Sequence, residues 1–326
     1  VSQPVSVVIC DDSRLARKQM ASVLRGWNVE VTFAEHGLEG LEAVRAGKGD
    51  ILFLDLTMPI MDGYQVLERI RKDDLPTMVI VISGDVQAEA RERVLALGAL
   101  EFIRKPTTSE DIAEVLNRFG LLTELEGTTA PSVEAEAEID LPEYYKEIAN
   151  VAMGQAGEML ARLLNTFVHL PIPIVSMVDP QSLQDRLMTA KDSEYELVSQ
   201  GFIGGGVAGE AFLLLEKSNL DKVATLMDLH DGGEFRTSEL LMSLSNALIG
   251  AFLTSFSKQI DIVFSKATPH ILRDFIGFNE QAEHWDKSLM ITIDYQMNEH
   301  DTQCELMLVF TQDSLVKLQN IASYFS

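Results

Sequence analysis

The chain is short of cysteine, of basic residues and of long apolar runs, and each shortage removes a class of function. Two cysteines in 326 residues, Cys10 and Cys304, cannot build a disulfide framework, so a reducing compartment is expected. Lys and Arg number 26 against 50 Asp and Glu, a net charge of −24. Duplex DNA and anionic membrane surfaces both require a basic face, so nucleic acid and membrane insertion are not expected; basic surfaces and divalent cations remain compatible. No unbroken apolar run reaches the roughly 18 residues of a spanning helix. The opening stretch "VSQPVSVVICDD" lacks a basic region followed by a cleavage site and does not read as a signal peptide. A cytoplasmic location is the expectation. Histidine is also scarce: His36, His169, His230, His270, His284 and His300 are scattered without metal-ligand spacing and receive no role.

What is present points to folded domains. Hydrophobic residues make up 46% of the chain, too many for a disordered protein. The length fits two domains at roughly 150 residues each. Over residues 1–121 short apolar runs alternate with helical patterns. The strands expected are 5–10, 29–34, 51–55, 77–83 and 101–104, and the helices 13–27, 37–47, 63–72, 86–98 and 109–120. Five strands each followed by a helix predict an α/β domain, a doubly wound parallel sheet with its functional residues at the carboxyl ends of the strands.

From Glu124 to Asp140 the composition changes. The stretch "ELEGTTAPSVEAEAEID" carries six acids and no base, which predicts an extended linker over 122–140, with an acidic continuation of the preceding helix as the alternative. Residues 141–167 then form a long amphipathic pattern. Superposing Asn150 on Asn246 places Gly154 on Gly250 and Pro173 on Pro269, all 96 apart, and "FLLLEKSNL" falls over "MLVFTQDSL" one residue out of step. The expectation for 141–326 is an α+β domain of two pseudo-repeats, about 141–230 and 231–326, with long helices on a mainly antiparallel sheet. "GGGVAG" at 204–209 satisfies G-x-G-x-x-G, but it precedes a strand and opens no helix, so it reads as a glycine-rich turn.

Two constellations carry chemistry. The first is acidic: Asp11 and Asp12 end the first strand and Asp55 the third, while Ser83 ends the fourth and Lys105 follows the fifth. The topology brings all five to one sheet edge, where oxygen ligands suit a hard cation such as Mg2+ and a carboxylate beside a lysine and a hydroxyl can accept a phosphoryl group. The stretches "ICDDSRLARK", "LFLDLTMPIMDGYQVLERIR", "VISGD" and "FIRKP" together resemble the receiver domain of two-component response regulators. The resemblance implies phosphorylation at Asp55 by a histidine kinase. It also implies Mg2+ held by Asp11, Asp12, Asp55 and the Thr57 carbonyl, and phosphoryl contacts from Ser83 and Lys105. Phe102 matches the aromatic switch position, Lys105–Pro106 a peptide bond usually cis in the family, and Thr57 and Asp85 positions that tune phosphoryl lifetime.

The second constellation is Glu147 and Asn150, three residues apart on one helix face among small residues. Asparagine is a poor mid-helix residue, yet it recurs at Asn246, with Ser243 where a glutamate would stand. The second domain is acidic and strand-rich, without an Arg/Lys-rich recognition helix. The pattern E-x-x-N in a long helix, repeated and followed by "LPIP" and an apolar strand, resembles the CheC/CheX/FliY phosphatases of bacterial chemotaxis. That resemblance implies an enzyme hydrolysing aspartyl phosphate in receiver domains. Asn150 would orient water, Glu147 would pair with the receiver's lysine, and the site at Ser243 and Asn246 would be weakened. A separate phosphorylated receiver is the favoured substrate, the chain's own Asp55 stays open, and the alternative is a non-enzymatic docking module. The oligomeric state, a homodimer included, is left open.

Overall fold

The structure, a computed structural model, describes residues 3–121, 140–192, 194–229, 237–272, 287–297 and 302–325. The linker expected at 122–140 lies outside these residues except for Asp140, as do His230, His284 and His300. The chain divides into two compact units, Val1–Ile139 and Asp140–Ser326.

In the first unit five strands, β1 (Val5–Cys10), β2 (Val29–Ala34), β3 (Ile51–Leu54), β4 (Met78–Ser83) and β5 (Glu101–Arg104), pair in parallel in the order β2-β1-β3-β4-β5. Strands covered on both faces need apolar residues throughout, which is why "ILFL" and "MVIVIS" do not alternate. Val8, Leu52, Leu54, Val79 and Val81 pack with helices α2 (Gly37–Arg45), α3 (Gly63–Asp73) and α4 (Ala88–Ala96) through Leu41, Val66, Leu67, Ile70 and Val94. Their strand neighbours Ile9, Phe53, Ile80 and Ile82 face α1 (Arg14–Val23) and α5 (Ser109–Arg118) through Met20, Ile112 and Leu116. Burying each such side chain contributes roughly 1.5–3 kcal/mol. Capping sets the helix starts: Ser13 accepts from Ala16 N, and Asp62 with Gln65 and Thr108 with Asp111 form capping boxes. α1 is shorter than the periodicity predicts, ending at Val23 rather than near Trp27. The chain turns at Leu24 and passes through Gly26 at φ +92°, a conformation that stops a helix.

The second unit is a helix-and-sheet domain. Long helices α6 (Leu141–Leu164) and α9 (Thr237–Ile260) each open a half. Hairpins β8 (Tyr195–Gly204)/β9 (Val207–Glu216) and β12 (Ser288–Met297)/β13 (Thr302–Phe310) form the centre of an antiparallel sheet ordered β8-β9-β13-β12. That order is palindromic. Phe212 pairs with Met307, the residue the repeat makes its equivalent, as a local two-fold axis between β9 and β13 requires. Short strands β10 (Ser265–Lys266) and β11 (His270–Ile271) flank β8, and β6 (Val168–His169) and β7 (Ile174–Val178) flank β12. Gly205 and Gly206, both at positive φ, make the two-residue turn between β8 and β9, so "GGGVAG" is a hairpin turn; β9 begins within it, at Val207.

One sheet face packs Phe212, Leu214, Met290, Met307 and Val309 under Leu183 and Leu187 of α7 (Pro180–Asp192). On the other face Phe310 meets Phe256 of α9, which also stacks on Tyr145 of α6. Tyr145 donates its hydroxyl to the carbonyl of Leu318 in α10 (Gln312–Phe325), closing the helix layer. α6 ends at Leu164, not Phe167, because Asn165 adopts the left-handed cap conformation. A short helix α8 (Leu220–Leu226) follows β9. α9 is long and apolar enough to cross a membrane by composition averaged over 18 residues, although Ser243, Ser245 and Asn246 interrupt it; 61% of that window is buried.

Candidate functional site

Strand ends of the first unit converge as the topology demands. Asp55 is 2% exposed, and its Oδ2 accepts from the Thr57 N–H at 2.8 Å. Lys105 extends its ammonium between two carboxylates, 2.7 Å from Asp11 Oδ2 and 3.2 Å from Asp55 Oδ1. Asp11 Oδ1 accepts from the Ser13 N–H, and the buried Ser83 Oγ accepts from the Asp85 N–H. The Lys105–Pro106 bond is cis, and Phe102 is buried in the core between β4 and its helices. All donors at this edge are hard oxygens, the chemistry Mg2+ takes. Among the described residues, however, no three His, Cys, Asp or Glu side chains are drawn together as a ready cage; Lys105 holds the space between Asp11 and Asp55.

Around this edge stand residues that periodicity did not single out. Arg17 is 2% exposed on α1 and donates to the Asp11 carbonyl and the Glu35 carboxylate. Asp85 Oδ1 accepts from both the backbone and the side-chain amide of Gln87. The Tyr64 ring lies under the Arg93 guanidinium at 4.1 Å; burial, and then the Asp85 charge, push its phenol well above the ordinary range. In sequence a buried arginine on a helix looks like an exposed one.

The second unit treats its two motifs differently. Glu147 and Asn150 share a face of α6 but are only 5% and 8% exposed. The helix is buried almost continuously from Tyr144 to Gly154, with Gln259 of α9 donating to the Ile148 carbonyl. Ser243 and Asn246, at the matching places on α9, are exposed. Lys266 reaches over Gly250, one turn further on. Small residues on α6 were expected to admit a second surface. At Gly157 the space is filled within this unit, by Leu170.

Comparison with known proteins places the first unit. The response regulator receiver domain family matches residues 7–117. Chemotaxis protein CheY of Treponema pallidum is 34% identical over 114 residues, spanning 34% of this chain and 79% of that protein. This chain belongs to the response regulator receiver family, through its first unit. Protein-glutamate methylesterase/protein-glutamine glutaminase 5 of Myxococcus xanthus is 33% identical over 190 residues, 53% of this chain and 54% of that protein; the chain thus spans about half of that relative. Among solved structures, FliY of Thermotoga maritima aligns with 59% of this chain and 100% of its own, at 17% identity and a TM-score of 0.42.

Proposed function

We propose that this chain is a phosphorylation-controlled phosphatase: a receiver phosphorylated on Asp55 by a histidine kinase, joined to an output unit that hydrolyses aspartyl phosphate in receiver domains. In the first unit an Asp55 carboxylate oxygen attacks the phosphorus of the kinase's phosphohistidine; the O–P bond forms as the N–P bond breaks, and the imidazole leaves with its electron pair. Lys105, already ion-paired with Asp55, follows the charge onto the new phosphoryl oxygens, and Ser83 donates its hydroxyl to one of them. Asp11, Asp12, Asp55 and the Thr57 carbonyl would hold Mg2+. When bound, it supplies the positive charge that offsets the phosphoryl group.

In the output unit Asn150 orients a water for in-line attack on the phosphorus, which breaks the bond to the aspartyl oxygen, restores the carboxylate and releases inorganic phosphate. Glu147 pairs with the lysine of the substrate receiver. An acyl phosphate is already activated, so positioning is most of what this unit must add. The observation that carries this reading is the placement of Glu147 and Asn150 one turn apart on one face of α6, with Asn246 at the equivalent place on α9. Ser243 cannot form the ion pair, which leaves the second site weakened. Phosphorylation at Asp55 alters the activity or the accessibility of the output unit. Action in trans is favoured, because a constitutive self-phosphatase erases its own signal.

Ser243 in place of a glutamate at the second site favours a second reading, a docking module without hydrolysis. Decay of a phosphorylated receiver, timed with wild type, with Asn150→Ala and without protein, separates the two. Equal lifetimes in all three, across a panel of receivers, would leave only docking.

A further inference from the structure

The most costly side chain near the phosphoryl-accepting edge has no place in the chemistry just described. Arg17 is fully inside the first unit, yet it is charged and lies one strand end away from the acidic residues. Nη1 donates to the Asp11 carbonyl at 2.7 Å and Nη2 to Glu35 Oε1 at 2.8 Å. Nε is buried and makes no hydrogen bond. Glu35 itself is 65% exposed in its side chain, so the ion pair is half in water. A buried guanidinium with one orphan donor and a solvated partner is a poor way to stabilise a helix, and an apolar side chain of similar size would serve α1 better.

What Arg17 does accomplish is geometric. Its backbone N–H bonds the Ser13 carbonyl, Ser13 N–H bonds Asp11 Oδ1, and the guanidinium returns to the Asp11 carbonyl. The first two bonds do not depend on the side chain at position 17; the guanidinium adds the third, and through Nη2 it ties the loop after β1 to Glu35 in the loop after β2. With its carbonyl held by Arg17, Asp11 keeps Oδ1 on the Ser13 N–H and Oδ2 on Lys105. The guanidinium also brings a second positive charge beside Asp11, at an edge where the Asp11 and Asp55 carboxylates share one lysine.

We infer that Arg17 is a positioning residue of the phosphoryl-accepting site, gripping Asp11 and Glu35 so that the acidic loop is preset for a divalent cation. This rests on the reading of Asp11, Asp12 and Asp55 as the cation site.

The test is calorimetric titration of the full chain with MgCl2, beside thermal melting in EDTA. Arg17→Lys can reach Asp11 or Glu35 but not both, and is expected to raise the Mg2+ dissociation constant roughly tenfold (about 1.4 kcal/mol) at a temperature far below its metal-free melting point. Glu35→Gln, at an exposed position, keeps the fold intact and is expected to raise it two- to threefold. Wild-type Mg2+ affinity in Arg17→Lys, or in Glu35→Gln where Arg17→Lys does not fold, overturns the role given to Arg17. Asp11→Asn and Asp55→Asn identify the other failure: wild-type affinity in those two overturns the cation site itself, and the inference with it.

Discussion

Asn150 and Asn246 each stand tenth in a helix of 24 residues, yet Asn150 is buried and Asn246 faces solvent. The two-fold relation between β9 and β13 makes the helices equivalent in the fold, so the difference lies in what surrounds them. Exposure favours Asn246 as the residue a partner reaches first, and side-chain chemistry favours Asn150, because only its helix carries Glu147. If chemistry decides, Asn150→Ala lowers the rate at which the chain shortens a phospho-receiver's lifetime by roughly a hundredfold, the scale for losing one positioned polar group. Asn246→Ala lowers it by less than threefold. Phosphate release from a stoichiometrically phosphorylated receiver measures both, and the opposite ranking would transfer the active site to α9.

Asp55 lies at the centre of the first unit's acidic edge, with Lys105 already on Oδ1. Beryllofluoride with Mg2+ mimics the phosphoryl group only where a carboxylate accepts it. Wild type is expected to show chemical-shift changes along β3, β4 and β5, and Asp55→Asn none. Shifts that persist in Asp55→Asn would put the acceptor elsewhere.

Much of this was legible in the residues, for identifiable reasons. A parallel sheet covered on both faces writes itself as unbroken apolar strands, and Asp11, Asp55, Ser83 and Lys105 each mark a strand end, so the first unit and its polar edge followed from order alone. The repeat in the second unit was visible through Asn150 and Asn246, and the palindromic sheet order gives it a structural form. Burial was not legible. Nothing in E-x-x-N distinguishes an open helix face from a buried one, and Glu147 and Asn150 are buried. Arg17 was missed because the groups it binds, the Asp11 carbonyl and the Glu35 carboxylate, lie outside its own helix. Helix ends erred by a few residues where a left-handed residue, Gly26 or Asn165, stopped the helix inside an apolar pattern.

Glu101 offers a test by pH. Burial raises its carboxyl pKa, but the Phe102 N–H at 2.9 Å and the guanidiniums of Arg118 and Arg91 outweigh that, and the net shift is below the ordinary glutamate value. A depressed carboxyl favours the folded state when ionised. Its contribution is complete above the unfolded value, near 4.5, and is lost as pH falls through the folded one. Wild type is therefore expected to lose more melting temperature between about pH 5 and pH 3 than Glu101→Gln does. Parallel acid limbs in the two proteins would show that the three contacts do not favour the ionised carboxyl.

Gly63 tests how tightly the acceptor is built into its strand end. It is the first residue of α3, and its N–H bonds the Leu56 carbonyl at 3.0 Å. A Cβ there would collide with the Asp55 carbonyl and come within 2.9 Å of Leu56 Cα. Both neighbours are backbone and cannot rotate aside, so Gly63→Ala has to lift α3 from β3 or displace Asp55. The expected cost is roughly 1–3 kcal/mol of stability, the range for overpacking. A loss of beryllofluoride affinity should accompany it even well below the melting temperature. Gly47→Ala is the control: its Cβ meets nothing within 4 Å, and only the left-handed φ of +74° opposes it, so it should cost less and leave beryllofluoride binding unchanged. Equal effects of the two substitutions on binding would mean that the contact at Gly63 does not position Asp55.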